Sequence, residues 1–360
     1  MIELLCIGNA IVDVFASVDS AWLDGLGITS PVQHIPRDHA RRILEELSGR
    51  AKTDIVMCSG GAAANVAKIA AMLGIGTAFT GCIGAPENGE LAAVFRGELE
   101  AAGVVPLLTT GAGMTGLCFV FGPDELVSSG ELVSPGDTRI AVSPGASLEF
   151  TETDASAELI ASAGALVLDG FMLSRPPLVQ HILQLAGAKG IPAALDAASV
   201  PVIREHAEAV LRYSRSCPLI IFMNADECIA FYNTIKKGDT GDAVLDEGEK
   251  ENLILQEICP ALKHLTGKGE FPVIVFKLGS RGAVVLAGGN VYREETTAII
   301  PRNSVGAGDA FCAAFVSAWI RGRPVQDCAA LGNRVAREIL SVPGTKIKAE
   351  KLKSFAMSRT

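Results

Sequence analysis

Apolar positions recur along this chain in two rhythms, and each predicts a different part of the fold. From residue 156 onward, short continuous apolar runs alternate with stretches of helical period. Strands over 165–169, 191–196 and 219–223 alternate with helices over 177–188, 200–213 and one starting near Ala225. Units of this size predict a parallel sheet with helices on both faces, a doubly wound α/β fold. The opening run 4–14 reads as a further buried strand, as do 77–83 and 271–278, the last followed by a hairpin over 283–291. Helices are predicted where Val66, Ile69, Ala70 and Leu73 repeat at i, i+3, i+4 and i+7, and over 89–102 and 325–340. Two regions break the rhythm. Residues 20–49 carry two short helical patterns, 21–26 and 36–47, and 104–150 lose helical period among Gly, Pro and Ser. The second region predicts a small sheet of hairpins. The chain is therefore expected to form one large domain over 1–360, with a lid inserted in two pieces, roughly 14–58 and 104–150.

Chemistry concentrates where a strand pattern meets a helix pattern across glycine. A β-branched stretch, 296–301, is predicted as a strand. It leads through Asn303-Ser304-Val305-Gly306-Ala307-Gly308-Asp309 into Phe311, Phe315, Ala318 and Trp319 at helical spacing, ending at Gly322. The first amides of such a helix lack intrahelical partners and the dipole adds positive charge there, which suits an anion. Asp309 beside that anion site is either a favourable first-turn acid or a base that takes the proton from whatever attacks the anion. An oxyanion cradle with an adjacent base is what phosphoryl transfer to an alcohol requires.

A second glycine pair, Gly60-Gly61, stands at another predicted helix start, with Asn65 inside its first turns. The plain reading is a tight turn, but two such sites in one chain favour a functional one. Asp13 closes the run 4–14 and reads either as a solvated strand end or as a holder of substrate hydroxyls, since doubly wound sheets bind ligands beyond the carboxyl ends of their strands. Asp169, Asp196 and Asn224 recur at that same edge. The segment Gly8 to Asp13 is not a dinucleotide fingerprint, and no Walker A sequence occurs.

Composition narrows the field. Hydrophobic residues make up 49% of the 360 and charged residues 20%, enough for a large core, while aromatics at 5% leave that core to Ala, Val, Ile and Leu. A net charge of −9 speaks against nucleic acid or an anionic membrane as a partner, so any anionic substrate must be held by local dipoles. Nine cysteines are scattered without a CxxC pair or zinc spacing, as in the core of a protein from a reducing compartment. The uncharged runs are broken by Gly, Pro and Thr, and Met1-Ile2-Glu3 lacks a basic leader, so a cytoplasmic location is expected.

Four motifs in fixed order carry a resemblance: Ser59-Gly60-Gly61 through Asn65, then Asn224-Ala225-Asp226-Glu227, then Gly279-Ser280-Arg281-Gly282, and finally Gly306-Ala307-Gly308-Asp309. Together they resemble the ribokinase/PfkB family of carbohydrate and nucleoside kinases over nearly the whole chain. The resemblance implies a ribokinase-like fold and transfer of the γ-phosphoryl group of ATP, with Mg2+, to a primary hydroxyl of a small sugar or nucleoside. Asp309 would be the general base and Gly306, Ala307 and Gly308 the anion hole, helped by Arg139 of the lid. Asn9, Asp13, Gly60, Gly61, Asn65 and Phe171 would bind the acceptor. Asn224, Lys277, Gly279, Gly282 and Asn333 would border the nucleotide, and Glu227 would organise the metal through water. A monovalent cation such as K+ is a further expectation, and an exposed lid edge would suit a homodimer.

Within the family the chain looks most similar to the adenosine kinase branch, through Gly8-Asn9 with Asp13, Thr115-Gly116 with Cys118, and Gly332-Asn333. Two positions depart from that branch. Ala62 stands where it often carries a serine that contacts the base, and Asn303 replaces the aspartate that usually opens the catalytic signature. An adenosine-like ribonucleoside is the favoured acceptor. A kinase for a simple sugar or sugar acid, and a non-catalytic ligand-binding protein on the same fold, stay open at this point.

Overall fold

In the computed structural model, residues 2–50, 55–122, 138–236, 245–267, 271–301, 306–341 and 349–357 are described. The strands are β1 (Ile2–Ile7), β2 (Ile11–Ser17), β3 (Val32–His34), β4 (Ile55–Gly60), β5 (Thr77–Gly84), β6 (Val105–Gly111), β7 (Gly116–Gly122), β8 (Arg139–Ser143), β9 (Ala163–Leu168), β10 (Ala193–Asp196), β11 (Leu219–Asn224), β12 (Val273–Lys277), β13 (Ala283–Ala287) and β14 (Asn290–Glu294).

They form a nine-stranded sheet, β14-β13-β12-β11-β10-β9-β1-β5-β6, and a five-stranded one, β3-β8-β7-β2-β4. In the large sheet every pairing from β12 to β6 is parallel, and only the β12–β13 and β13–β14 pairs are antiparallel. Apolar side chains fill both of its faces. One face packs against helices Ala62–Met72, Ala307–Ile320 and Val325–Ser341, and the other against helices Pro176–Ala188, Val200–Tyr213 and Ala225–Lys236. This is the doubly wound α/β fold that the rhythm of runs predicts. Among the described residues no helix is long and apolar enough to cross a membrane.

Three sequence expectations are corrected. The run 4–14 is not one strand: β1 lies in the large sheet between β5 and β9, whereas β2 lies in the small sheet between β4 and β7. The chain crosses over at Gly8-Asn9-Ala10, where a Cβ on Gly8 would press on Ala63 and Asp169. Both strands are apolar, so hydropathy does not register the crossing, and Asp13 belongs to the small sheet rather than to the end of a large-sheet strand. The stretch 296–301 joins no ladder, because the hairpin ends at Glu294 and β-branched residues favour extended backbone without supplying a partner. The region 104–150 is not a sheet of hairpins throughout, since β6 pairs in parallel with β5 in the large sheet and β7 pairs in parallel with β2.

The large sheet changes direction at β1: connections run outward through β5 and β6 on one side and through β9, β10, β11 and β12 on the other. At such a switch point the loops after adjacent strands part and leave a crevice at the carboxyl edge. Asn9, Asp169, Asp196, Asn224 and Lys277 all stand on that edge, with Asn224 directly opposite Lys277.

Candidate active site

The helix Ala307–Ile320 is apolar almost all round and buried from Ala310 to Ala318, where Phe311 and Phe315 meet Phe222 of β11 edge-on. A helix so enclosed has its N-terminus set by packing. That end is capped by Gly306 in the left-handed region, φ 79°, with no side chain accepting from the first amides. These amides remain available as donors to an anion. Asn303, the departure from the usual signature, lies outside the described residues.

Asp309 occupies the first turn of this helix, and Asn65 of the helix Ala62–Met72 donates its Nδ2 to Asp309 Oδ2 at 2.9 Å. The two glycine-led helix starts are thus joined through the carboxylate. The second helix is capped by Gly61 at φ 88°, where a Cβ would also run into the Asn9 carbonyl, so only glycine fits. Loss of hydration in the enclosed site pushes the Asp309 carboxyl up to about 6; the Asn65 bond and the Lys277 ammonium oppose this, and the Asp196 charge adds to it.

Asp13 comes from the other sheet. It pairs with Cys58 on one side and Cys118 on the other, and its carboxylate lies over Gly60, where any Cβ would overlap it. Desolvation lifts its carboxyl to about 7, eased by Lys68 and by the Cys118 thiol that donates to it, and raised further by the Asp309 charge. A compact polar network stands behind this strand. Lys68 donates to the Ser59 carbonyl and Oγ at 2.6 and 2.8 Å, and Glu98 Oε2 accepts from the Ser59 amide and hydroxyl at 2.6 and 2.8 Å.

At the carboxyl edge of the large sheet, Lys277 Nζ binds Asp196 Oδ2 at 2.5 Å. Enclosure alone would lower the Lys277 ammonium, but the Asp196 and Glu227 carboxylates outweigh it and hold the group above its ordinary value. Asn224 and Glu227 cap each other: the Asn224 amide donates to Glu227 Oε2 at 2.8 Å and the Glu227 amide to Asn224 Oδ1 at 2.9 Å. Burial, together with Asp196, raises the Glu227 carboxyl. A cleft of about 280 Å³ opens here, lined by Lys277, Gly279, Gly282, Asn333, Ala307 and Gly308 among others. Asn333 fixes its rim by donating to the Glu294 and Glu295 carbonyls at 3.2 and 3.4 Å. Four of the five nucleotide-bordering candidates, at 277, 279, 282 and 333, therefore line one cleft with Ala307 and Gly308, while Asn224 is not among its lining residues.

Asn9 is held by Asp169 Oδ2, which accepts from both its amide and its Nδ2 at 3.4 Å, and by Arg175, whose Nη2 donates to Asn9 Oδ1 at 2.9 Å. Phe171 lies two residues after Asp169 and leaves 45% of its surface exposed. Arg139 stands apart from these groups. Its Nη1 donates to Asp24 at 2.5 Å and to the Ile28 carbonyl at 2.6 Å, and it precedes by three residues Val142, the β8 residue level with Cys118 and Asp13. The motif reading passed over Lys68, Glu98 and Arg175. Lys68 is legible as one turn after Asn65 on the same helix, but nothing in the sequence brings Glu98 to Ser59.

The model of the pfkB family of carbohydrate kinases matches residues 26–352. An adenosine kinase of Dictyostelium discoideum is 23% identical over 98% of both chains. Among solved structures, the adenosine kinase of Sinorhizobium meliloti superposes with a TM-score of 0.76 at 22% identity, covering 99% of this chain and 98% of the other. A probable sugar kinase of Rhizobium etli superposes with a TM-score of 0.74 at 21% identity, covering 99% and 97%. The family model spans residues 26–352, most of the chain, and the chain therefore belongs to the pfkB family of carbohydrate kinases, which are ATP-dependent phosphotransferases.

Proposed function

We propose that Asp309 is the general base in transfer of the γ-phosphoryl group of ATP to a primary hydroxyl of an adenosine-like ribonucleoside. The observation that carries this reading is the Asn65–Asp309 hydrogen bond of 2.9 Å, which puts a carboxylate of raised pKa at the junction of two glycine-capped helix starts that have no side-chain cap. The acceptor oxygen attacks the γ-phosphorus as its proton passes to Asp309. The bond from phosphorus to the bridging oxygen breaks, and ADP departs with that electron pair. The amides of Gly306, Ala307 and Gly308 face the charge on the transferring group. Asp13 and Asn65 hold the acceptor's hydroxyls, and Asn9, fixed by Asp169 and Arg175, borders them.

Among the described residues no three His, Cys, Asp or Glu side chains converge as a ready-made metal site. The donors present fit Mg2+ held through phosphate oxygens and water, with Glu227 the carboxylate that orders the water; when bound, the ion neutralises phosphate charge. Asn224, Gly279, Gly282 and Asn333 border the nucleotide. Phe171 supports a purine ring, since an exposed aromatic face at the acceptor edge suits stacking. The alternative acceptor, a simple sugar or sugar acid, is favoured by Ala62, which offers no side-chain donor to a base at the start of its helix.

An ATP-consumption screen across nucleosides, pentoses, hexoses and sugar acids tests this. Adenosine is expected to turn over far faster than any sugar, and a sugar outrunning every nucleoside would overturn the nucleoside assignment. ATP hydrolysis without acceptor should stay slow, because closure of the small sheet over the site excludes water.

A further inference from the structure

We infer that Lys277 is the cation that meets the transferring phosphoryl group, a catalytic role carried by the large sheet instead of by Arg139 of the small one. The inference rests on the kinase reading above and deepens it. Three placements lead to it. Lys277 ends β12 on the ligand-binding edge and lines the cleft. A Cβ built on Gly308 would lie 3.3 Å from Lys277 Nζ, so the ammonium stands beside the helix amides of the anion hole. Its side chain is only 15% exposed, and Asp196, at 17%, binds it at 2.5 Å. Arg139, by contrast, is engaged by Asp24 and the Ile28 carbonyl.

The chemistry of the step makes use of such a cation. While the acceptor oxygen bonds to phosphorus and the bond to the ADP oxygen breaks, the three equatorial oxygens keep their negative charge, and the proton lost by the acceptor goes to Asp309. A fixed cation beside those oxygens lowers the energy of that arrangement without reorganisation at the moment of reaction. An ammonium has three donors, so Asp196 can hold Lys277 in place through one while others reach phosphate oxygens. Asp196 is then a positioning residue. The same ammonium draws down the carboxyls of Asp309 and Glu227, and it is the one cation among the leading influences on both.

Titration calorimetry of the full chain with ATP and with ADP, each with Mg2+, tests the assignment independently of the acceptor. The wild type is expected to prefer ATP to ADP. Lys277→Met should lose at least about tenfold in ATP affinity while ADP affinity moves less than about threefold, since a charge-assisted contact to the terminal phosphate is lost. Lys277→Gln, which keeps a polar partner for Asp196, should behave alike and serves where the Met variant does not fold. Lys277→Met/Asp196→Asn should recover neither ATP preference nor turnover. Equal weakening of both nucleotides, recovery in the double variant, or retention of ATP preference in the single variants would overturn the inference. The first two outcomes would leave the kinase reading standing, whereas a wild type that binds neither nucleotide would sink both.

Discussion

Asp309 and Asp13 are two carboxylates raised well above the ordinary 3.8, to about 6 and about 7, yet the structure supports them in opposite ways. Asp309 stands in the first turn of a helix buried from Ala310 to Ala318, after a glycine cap with no side-chain acceptor, and takes a hydrogen bond from Asn65. Asp13 stands mid-strand in the small sheet, flanked by Cys58 and Cys118, with cationic relief from Lys68. A base has to release and accept a proton near neutrality, so a carboxyl of about 6 in a rigid donor-rich setting suits Asp309. A residue that grips hydroxyls needs position more than proton affinity, and Asp13 has its position enforced by the missing Cβ of Gly60.

The comparison can be broken at several points, and the largest effect is expected at the proposed base. Asp309→Asn should lower turnover by at least ~10²-fold, the scale of losing a general base, while nucleotide affinity measured by calorimetry stays near wild type. In the wild type, turnover should climb as pH rises through about 6, because only the ionised form accepts a proton. A profile flat from pH 5 to 8 would assign the proton elsewhere. Gly60→Ala should act on the other acid. It displaces the Asp13 carboxylate and should raise the acceptor's KM about 10-fold or more, as sub-ångström misplacements do, with the KM for ATP unchanged.

A stability measurement separates desolvation from function. The folded carboxyl of Asp13 titrates above its unfolded value of 3.8, so ionisation opposes folding: its cost is absent below about 3.8 and fully present above about 7. Asp13→Asn should therefore raise the unfolding midpoint more at pH 8 than at pH 4.5. The reverse order would mean that the carboxylate is better satisfied than its surroundings imply.

The smallest effect is expected at Glu251, a buried carboxylate that binds Arg281 of the 279–282 loop at 2.7 Å and Arg293 of β14 at 2.6 Å. Burial would raise it, but the two guanidiniums win and hold it below its ordinary range. Glu251→Gln should loosen the loop and raise the KM for ATP two- to threefold at constant turnover, in keeping with partly exposed ion pairs.

Much of this was legible in the sequence, for identifiable reasons. The doubly wound sheet announced itself because strands buried on both faces read as unbroken apolar runs, and the helices between them keep their period. Glycine pairs ahead of helices marked both helix starts, because few residues other than glycine tolerate positive φ there, as Gly61 and Gly306 adopt it. Lys277, Gly279 and Gly282 share one cleft with Asn333 of a later helix.

What the sequence by itself determined is the fold class, the order of the elements and the residue types at the two glycine-led helix starts, since these follow from local pattern and from backbone chemistry. Tertiary structure alone decided which sheet receives each strand. Hydropathy is the same on either side of Gly8, so only pairing partners could send β1 to one sheet and β2, with Asp13, to the other. It also decided where charges end up. Arg139 meets Asp24, Lys277 meets Asp196 and Glu98 meets Ser59 because strands and helices far apart in the chain are packed side by side, and no periodicity encodes such neighbours.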